Sequence, residues 1–90
     1  MLQSAILTIR GRVQGVGFRY FVQQKAEWLN ICGFVKNLPD GSVYIEAEGQ
    51  EEQLQLFIEI CRQGPSHAWI EHTDIQYCPV QGFEGFGKRG

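Results

Sequence analysis

The first 26 residues contain no acidic side chain, although the chain carries ten acidic residues in all, every one at or beyond Glu27. Other absences narrow the classes of protein this can be. No apolar run approaches the roughly 18 residues that span a bilayer. The start "MLQSAILTIRGR" lacks the basic segment, long apolar stretch and cleavage site of a secretory leader, so a cytoplasmic location with no membrane association is expected. The cysteines are few, Cys32, Cys61 and Cys78, with no CxxC spacing. An odd set so placed excludes a disulfide framework and a zinc ribbon, and buried or half-buried thiols in a reducing compartment are expected. There is no excess of Pro, Gly and Ser and no excess of charge; with 43% hydrophobic and 20% charged residues the chain should fold. A basic surplus is also missing, for the net charge is -2 and the isoelectric point near 5.6. That excludes a general phosphate-backbone binder, and no nucleic-acid partner is expected.

Ninety residues suffice for one core and one domain, taken here as residues 1–90. The cationic first quarter holds Arg10, Arg12, Arg19 and Lys25. Solvated surface charge accounts for Arg10, Arg12 and Lys25 taken singly, but less well for Arg19.

Ala5 to Val13 alternates, with Ala5, Leu7, Ile9 and Val13 on one side, which is the pattern of a strand with one buried face. Phe18, Phe21, Val22, Ala26 and Leu29 then recur at helical spacing, predicting a helix from about Phe18 to Asn30. A short β-type run at 32–37, a Pro-Asp-Gly turn at 38–41 and alternation over 42–48 predict a hairpin. Leu54, Phe57, Ile58 and Cys61 mark a second helix to about Gln63, with Glu51 and Glu52 where the helix dipole favours negative charge. "GPS" at 64–66 ends it, and "HAWIEHTDIQY" at 67–77 reads as a strand. The tail after Pro79 has four glycines and is either a short edge strand around Phe83 to Lys88 or a loose end.

This order predicts an α+β, ferredoxin-like βαββαβ sandwich, with two helices on one face of a mostly antiparallel sheet of four to five strands. In a split βαβ unit the first two strands run parallel with a third between them. Their C-terminal ends therefore reach one edge, which should make the glycine loop after the first strand a neighbour of residues 36–38.

That loop, "GRVQGVGFR" at 11–19, offers no Ser, Thr, Asp or Asn to cap the helix that follows. Uncapped N–H groups, glycines that let the backbone curve, and Arg19 in the first helical turn would make a concave oxyanion site suited to phosphate. A guanidinium offers fork-shaped donors and a permanent charge. From glycine spacing alone, a tight turn capped by water with Arg19 on the surface satisfies the same pattern more simply. Two nucleotide motifs are excluded: there is no lysine and no Ser or Thr for a P-loop, and no GxGxxG followed by an acidic ribose ligand. Asn37, in "KNLPDG", taken alone reads as a turn residue.

Together "IRGRVQGVGFR" (9–19) and "GFVKNLPDGSVYIEAEG" (33–49) closely resemble the two signature motifs of the acylphosphatases, and the resemblance covers nearly the whole chain. It implies hydrolysis of acyl phosphates, the mixed anhydrides of carboxylic and phosphoric acids, with no metal or other cofactor. The small-molecule acyl phosphate would be the partner and the chain a monomer. Transferred by position, the resemblance implies that Arg19 and Asn37 are catalytic, Arg19 binding phosphate and Asn37 positioning water. The loop residues Gln14, Gly15, Val16, Gly17 and Phe18 would bind substrate with Arg19. A non-catalytic phosphate-binding module of the same fold is the alternative. Lys36 is expected on the opposite face of its strand from Asn37. The chain departs from the family's usual ending, Phe, any residue, aliphatic, basic, aromatic, since it reads Phe86, Gly87, Lys88, Arg89, Gly90. Trp28 and Asn30 depart at the end of the first helix.

His67 and His72, five apart on the expected strand, would lie on opposite faces with no Cys or Asp cluster beside them, so neither is assigned chemistry. Trp28 and Trp69 are read as packing or half-exposed aromatics, and the tail lacks the run of an RNA-recognition motif.

Overall fold

In the computed structural model, which describes residues 1–89, the two periods of the sequence become strands and helices close to where they were expected. The order is β1 (Leu2–Arg12), α1 (Phe18–Trp28), β2 (Cys32–Asn37), β3 (Val43–Gln50), α2 (Glu51–Gln63), β4 (Trp69–Cys78) and β5 (Phe86–Arg89). The sheet runs β4-β1-β3-β2-β5. β1 pairs antiparallel with β3 and β4, and β2 antiparallel with β3, whereas β5 joins β2 in parallel. The ferredoxin-like α+β expectation holds, with five strands.

The alternation of β1 sends Ala5, Leu7 and Ile9 into the core with no exposed surface, and Val13 follows them just beyond the strand. Both helices pack on this face, presenting Phe18, Val22 and Ala26 from α1 and Leu54, Phe57, Ile58 and Cys61 from α2. Each large side chain so buried contributes about 1.5–3 kcal/mol, and this face gains most of the stability. Burial also pushes the Cys61 thiol well above its ordinary pKa, while Cys32 and Cys78 are half-buried.

Strands β1 and β3 differ from their expected bounds by one to three residues, and three other shifts bear on the site or on the reading from sequence. Helix α1 ends at Trp28, not Asn30, because Asn30 adopts φ 57° and the chain closes with Ile31 N–H donating to Ala26 O (2.8 Å) and Asn30 N–H to Glu27 O (3.4 Å). This is a left-handed helix stop with asparagine where glycine is favoured. Strand β4 starts at Trp69, so His67 precedes it and the expectation that both histidines share a strand is corrected; His72 Nε2 lies 2.9 Å from Asp74 Oδ1. The tail strand begins at Phe86 instead of Phe83, and Gly90 lies outside the described residues. Trp28 and Trp69 are both 70% exposed, so neither packs in the core; Lys25 Nζ stands 5.8 Å from the Trp28 ring centroid.

Since β4 and β5 occupy opposite edges, residues 79–85 must cross the sheet. They do so over the face away from the helices, where Phe83 packs edge-on against Phe34 at 5.9 Å. Glu48, only 4% exposed, fastens this strap by accepting the backbone N–H groups of Gln81, Gly82 (3.0 Å) and Phe83 (3.2 Å). Hydrogen bonds to a charged acceptor are worth about 1.5–3 kcal/mol each when buried, less where water can replace them. Glu48→Ala should therefore lower the free energy of unfolding by about 2–3 kcal/mol and Glu48→Gln by about half as much. Urea denaturation of the two variants against the parent measures this, and a loss below about 0.5 kcal/mol in both would mean that the strap holds without its clasp.

Candidate active site

The ends of β1 and β2 meet as the topology requires. Gln14, in the loop after β1, donates its side-chain amide to Leu38 O (2.8 Å) and Ser42 O (2.9 Å), tying the loop to the β2–β3 hairpin. The hairpin turn is itself braced: Asp40 Oδ1 accepts from Ser42 Oγ (2.6 Å) and Ser42 N–H (2.9 Å), and Oδ2 from Arg10 (3.0 Å). These bonds, the Ser42 hydroxyl foremost, hold the Asp40 carboxyl down at a pKa of about 2. Arg10 is thereby part of the hairpin's surface, and Lys25 lies beside Phe21 and Trp28 on the outside of α1.

Between loop and hairpin lies a small pocket of about 140 Å³, open to solvent and below the range of drug-sized ligand sites (about 300–1,000 Å³). Gly15, Gly17, Phe18, Arg19 and Asn37 line it, with Tyr20 and Lys88 at its side. Gly15 and Gly17 both take left-handed backbone conformations, φ 75° and 78°, which glycine adopts without the penalty other residues meet. This curls the chain so that α1 starts with Gly17 as its cap and no side-chain cap bond. The first backbone bond of the helix runs from Phe21 N–H to Gly17 O (3.0 Å), which leaves the N–H groups ahead of it for another acceptor.

Arg19 stands in the first turn of α1, half-buried, with Nη1 donating to Arg89 O at 3.0 Å. Among the described residues it makes no ion pair, so one bond orients the guanidinium and the rest of its donors have no protein acceptor there. Asn37 ends β2 on the helix-covered face, in phase with buried Val35. Its Oδ1 is buried and has no hydrogen-bond partner among the described residues. Lys36 lies on the other face, its Nζ 5.4 Å from the Tyr44 ring centroid.

Of the residues singled out from sequence, the structure thus gathers Gly15, Gly17, Phe18, Arg19 and Asn37 around one pocket. Gln14 and Val16 belong to the loop, but their side chains are committed elsewhere, Gln14 to the hairpin and Val16 to packing against the core. Three lining residues lie outside that set: Val13, read from sequence as core, and Tyr20 and Lys88. Tyr20 carries no motif signal, and Lys88 was read only as a break in an apolar pattern. Period-two alternation from Phe86 would have put Lys88 on the pocket's side of the sheet.

The arrangement, with backbone N–H groups, a guanidinium and a buried amide oxygen around one opening, suits a phosphoryl group and a water molecule. Comparison with known proteins gives the family. The acylphosphatase family model matches residues 5–87. An acylphosphatase of Thermus thermophilus is 44% identical over 81 residues, spanning 90% of this chain and 92% of the relative. The crystal structure of acylphosphatase from Bacillus subtilis superposes with a TM-score of 0.92 at 41% identity, covering all of both chains. A structure of full-length HypF in a phosphate- and nucleotide-bound form matches the whole chain at 32% identity and TM-score 0.90, but over only 12% of that larger protein. Full-length matches to free-standing enzymes do not favour the alternative of a non-catalytic module. The chain belongs to the acylphosphatase family and is an enzyme that hydrolyses acyl phosphates to carboxylate and phosphate.

Proposed function

We propose that the loop at 14–19 and Arg19 hold the phosphoryl group while Asn37 orients the attacking water. The observation that carries this reading is the buried Asn37 Oδ1, an acceptor without a partner on the same pocket as Arg19. Leaving such an atom unpaired costs about 1–3 kcal/mol, and a water donating to it would be held with its lone pairs free to attack. The Asn37 amide orients water without taking its proton.

An acyl phosphate is already activated, so positioning and charge neutralisation are the main requirements. The water oxygen bonds to phosphorus, the bond from phosphorus to the acyl oxygen breaks, and its electron pair leaves with the carboxylate. The water's proton passes to a phosphate oxygen. In this reading no metal takes part, and the enzyme works as a cytoplasmic monomer.

Hydrolysis of benzoyl phosphate in ¹⁸O-labelled water with a chelator present tests the step. Label in the inorganic phosphate, at a rate unchanged by the chelator, is expected. Label in benzoate would mean attack at the carbonyl carbon and overturn the geometry proposed.

A further inference from the structure

The phosphate site has one guanidinium, yet a phosphoryl group near neutral pH carries up to two negative charges. The last strand supplies a second cation. Phe86 turns into the core against Phe57, with ring centroids 6.1 Å apart, so Lys88, two residues on, lies on the same helix-covered face. The register agrees, because Lys88 pairs with Val35, which is fully buried on that face, while Arg89 lies across the sheet with its guanidinium carbon 3.9 Å from the Phe34 ring centroid. Beyond Phe86 the core has ended and the start of α1 has begun, so an exposed lysine here enters the pocket of Arg19 and Asn37. The pocket lining contains no acidic residue, and among the described residues Lys88 makes no ion pair.

We infer that Lys88 is the second cation of the phosphate site, matching with Arg19 the two charges of the phosphoryl group and setting the enzyme's affinity for it. This rests on the reading of the loop and Arg19 given above. Lys88 is a flexible point charge, unlike Arg19, whose bond to Arg89 O fixes its orientation. It therefore follows the phosphate in ground state and transition state alike, and its removal should appear in KM more than in kcat.

Titration calorimetry with inorganic phosphate on the parent, Lys88→Met, Lys88→Arg and Arg19→Ala tests this. Lys88→Met should weaken phosphate binding about fivefold at low salt, as suits one exposed charge pair, and the deficit should shrink as salt screens it. KM for benzoyl phosphate should rise in parallel. Lys88→Arg, which keeps the charge, should bind within about twofold of the parent. Unchanged affinity in Lys88→Met, or an equal loss in Lys88→Arg, would overturn the assignment. Arg19→Ala separates the two failures: no loss there overturns the phosphate-site reading itself, whereas loss there with none in Lys88→Met removes only the part given to Lys88.

Discussion

Arg19→Ala is expected to lower kcat/KM for benzoyl phosphate by about 10³-fold or more, the scale on which a guanidinium acts in phosphoryl transfer, with the fold intact. Arg19 stands on the first turn of a helix, exposes part of its surface and, among the described residues, makes a single side-chain bond, to the carbonyl of Arg89. Losing that bond costs about 1 kcal/mol, so the melting temperature should fall by only a few degrees. The catalytic loss is larger because the guanidinium is the fixed charge of the pocket, held by the neighbouring strand before substrate arrives. Arg19→Lys separates charge from geometry. An ammonium keeps the charge but offers neither the planar fork nor, from a shorter stem, the anchor on Arg89, and a loss of about 10²-fold is expected. Steady-state kinetics beside a thermal melt measure both effects. Turnover within threefold of the parent in either variant would take Arg19 out of the mechanism.

For Asn37→Ala the expectation has two parts. The variant should lose about 10²–10³ in kcat, the cost of one positioned polar group in an active site, with a much smaller change in KM, because the loop and Arg19 still hold the phosphate. Stability, by contrast, should change little. The water proposed to donate to Asn37 Oδ1 takes the place of a protein donor, so the alanine removes no protein–protein bond to that atom. Asn37→Asp is the complementary probe: of nearly the same shape, it places a negative charge beside the phosphate and should raise KM as well as lower kcat. A fall in stability together with normal turnover in Asn37→Ala would make Asn37 a structural strand end and nothing more.

The two effects share an origin. The proposed site keeps N–H groups uncapped and, among the described residues, a guanidinium without a carboxylate and an amide oxygen without a protein donor. Each would be satisfied in a chain built for stability alone. The clasp of Glu48 on the crossing strap and the Asp40 brace of the hairpin lie outside the pocket and hold its frame.

Much of this was legible before any coordinates. Period-two alternation in 5–13 and helical spacing in 18–29 and 54–61 depend on neighbours along the chain, and they survive because one face of each element must be buried. The missing cap and the glycines at 15 and 17 are likewise local, since they concern which φ values a residue tolerates and which atoms lie within one turn. Even the meeting of loop and hairpin followed from strand order. The remainder depended on residues far apart in sequence. The glycine-rich tail has weak strand propensity and becomes β5 only because Glu48, Phe34 and Phe57 receive the strap and Phe86. The orientation of Arg19 depends on a carbonyl 70 residues away, and the role of Gln14 on acceptors in the hairpin. Lys88 read as a flaw in an apolar pattern, because propensity records what a strand prefers and not what it faces. The sequence by itself determined the elements and singled out the glycine loop and the pair Arg19 and Asn37 that the proposed mechanism uses. Only the tertiary structure decided how the last strand closes the site and which charges it brings, since long-range contacts leave no period in a single chain.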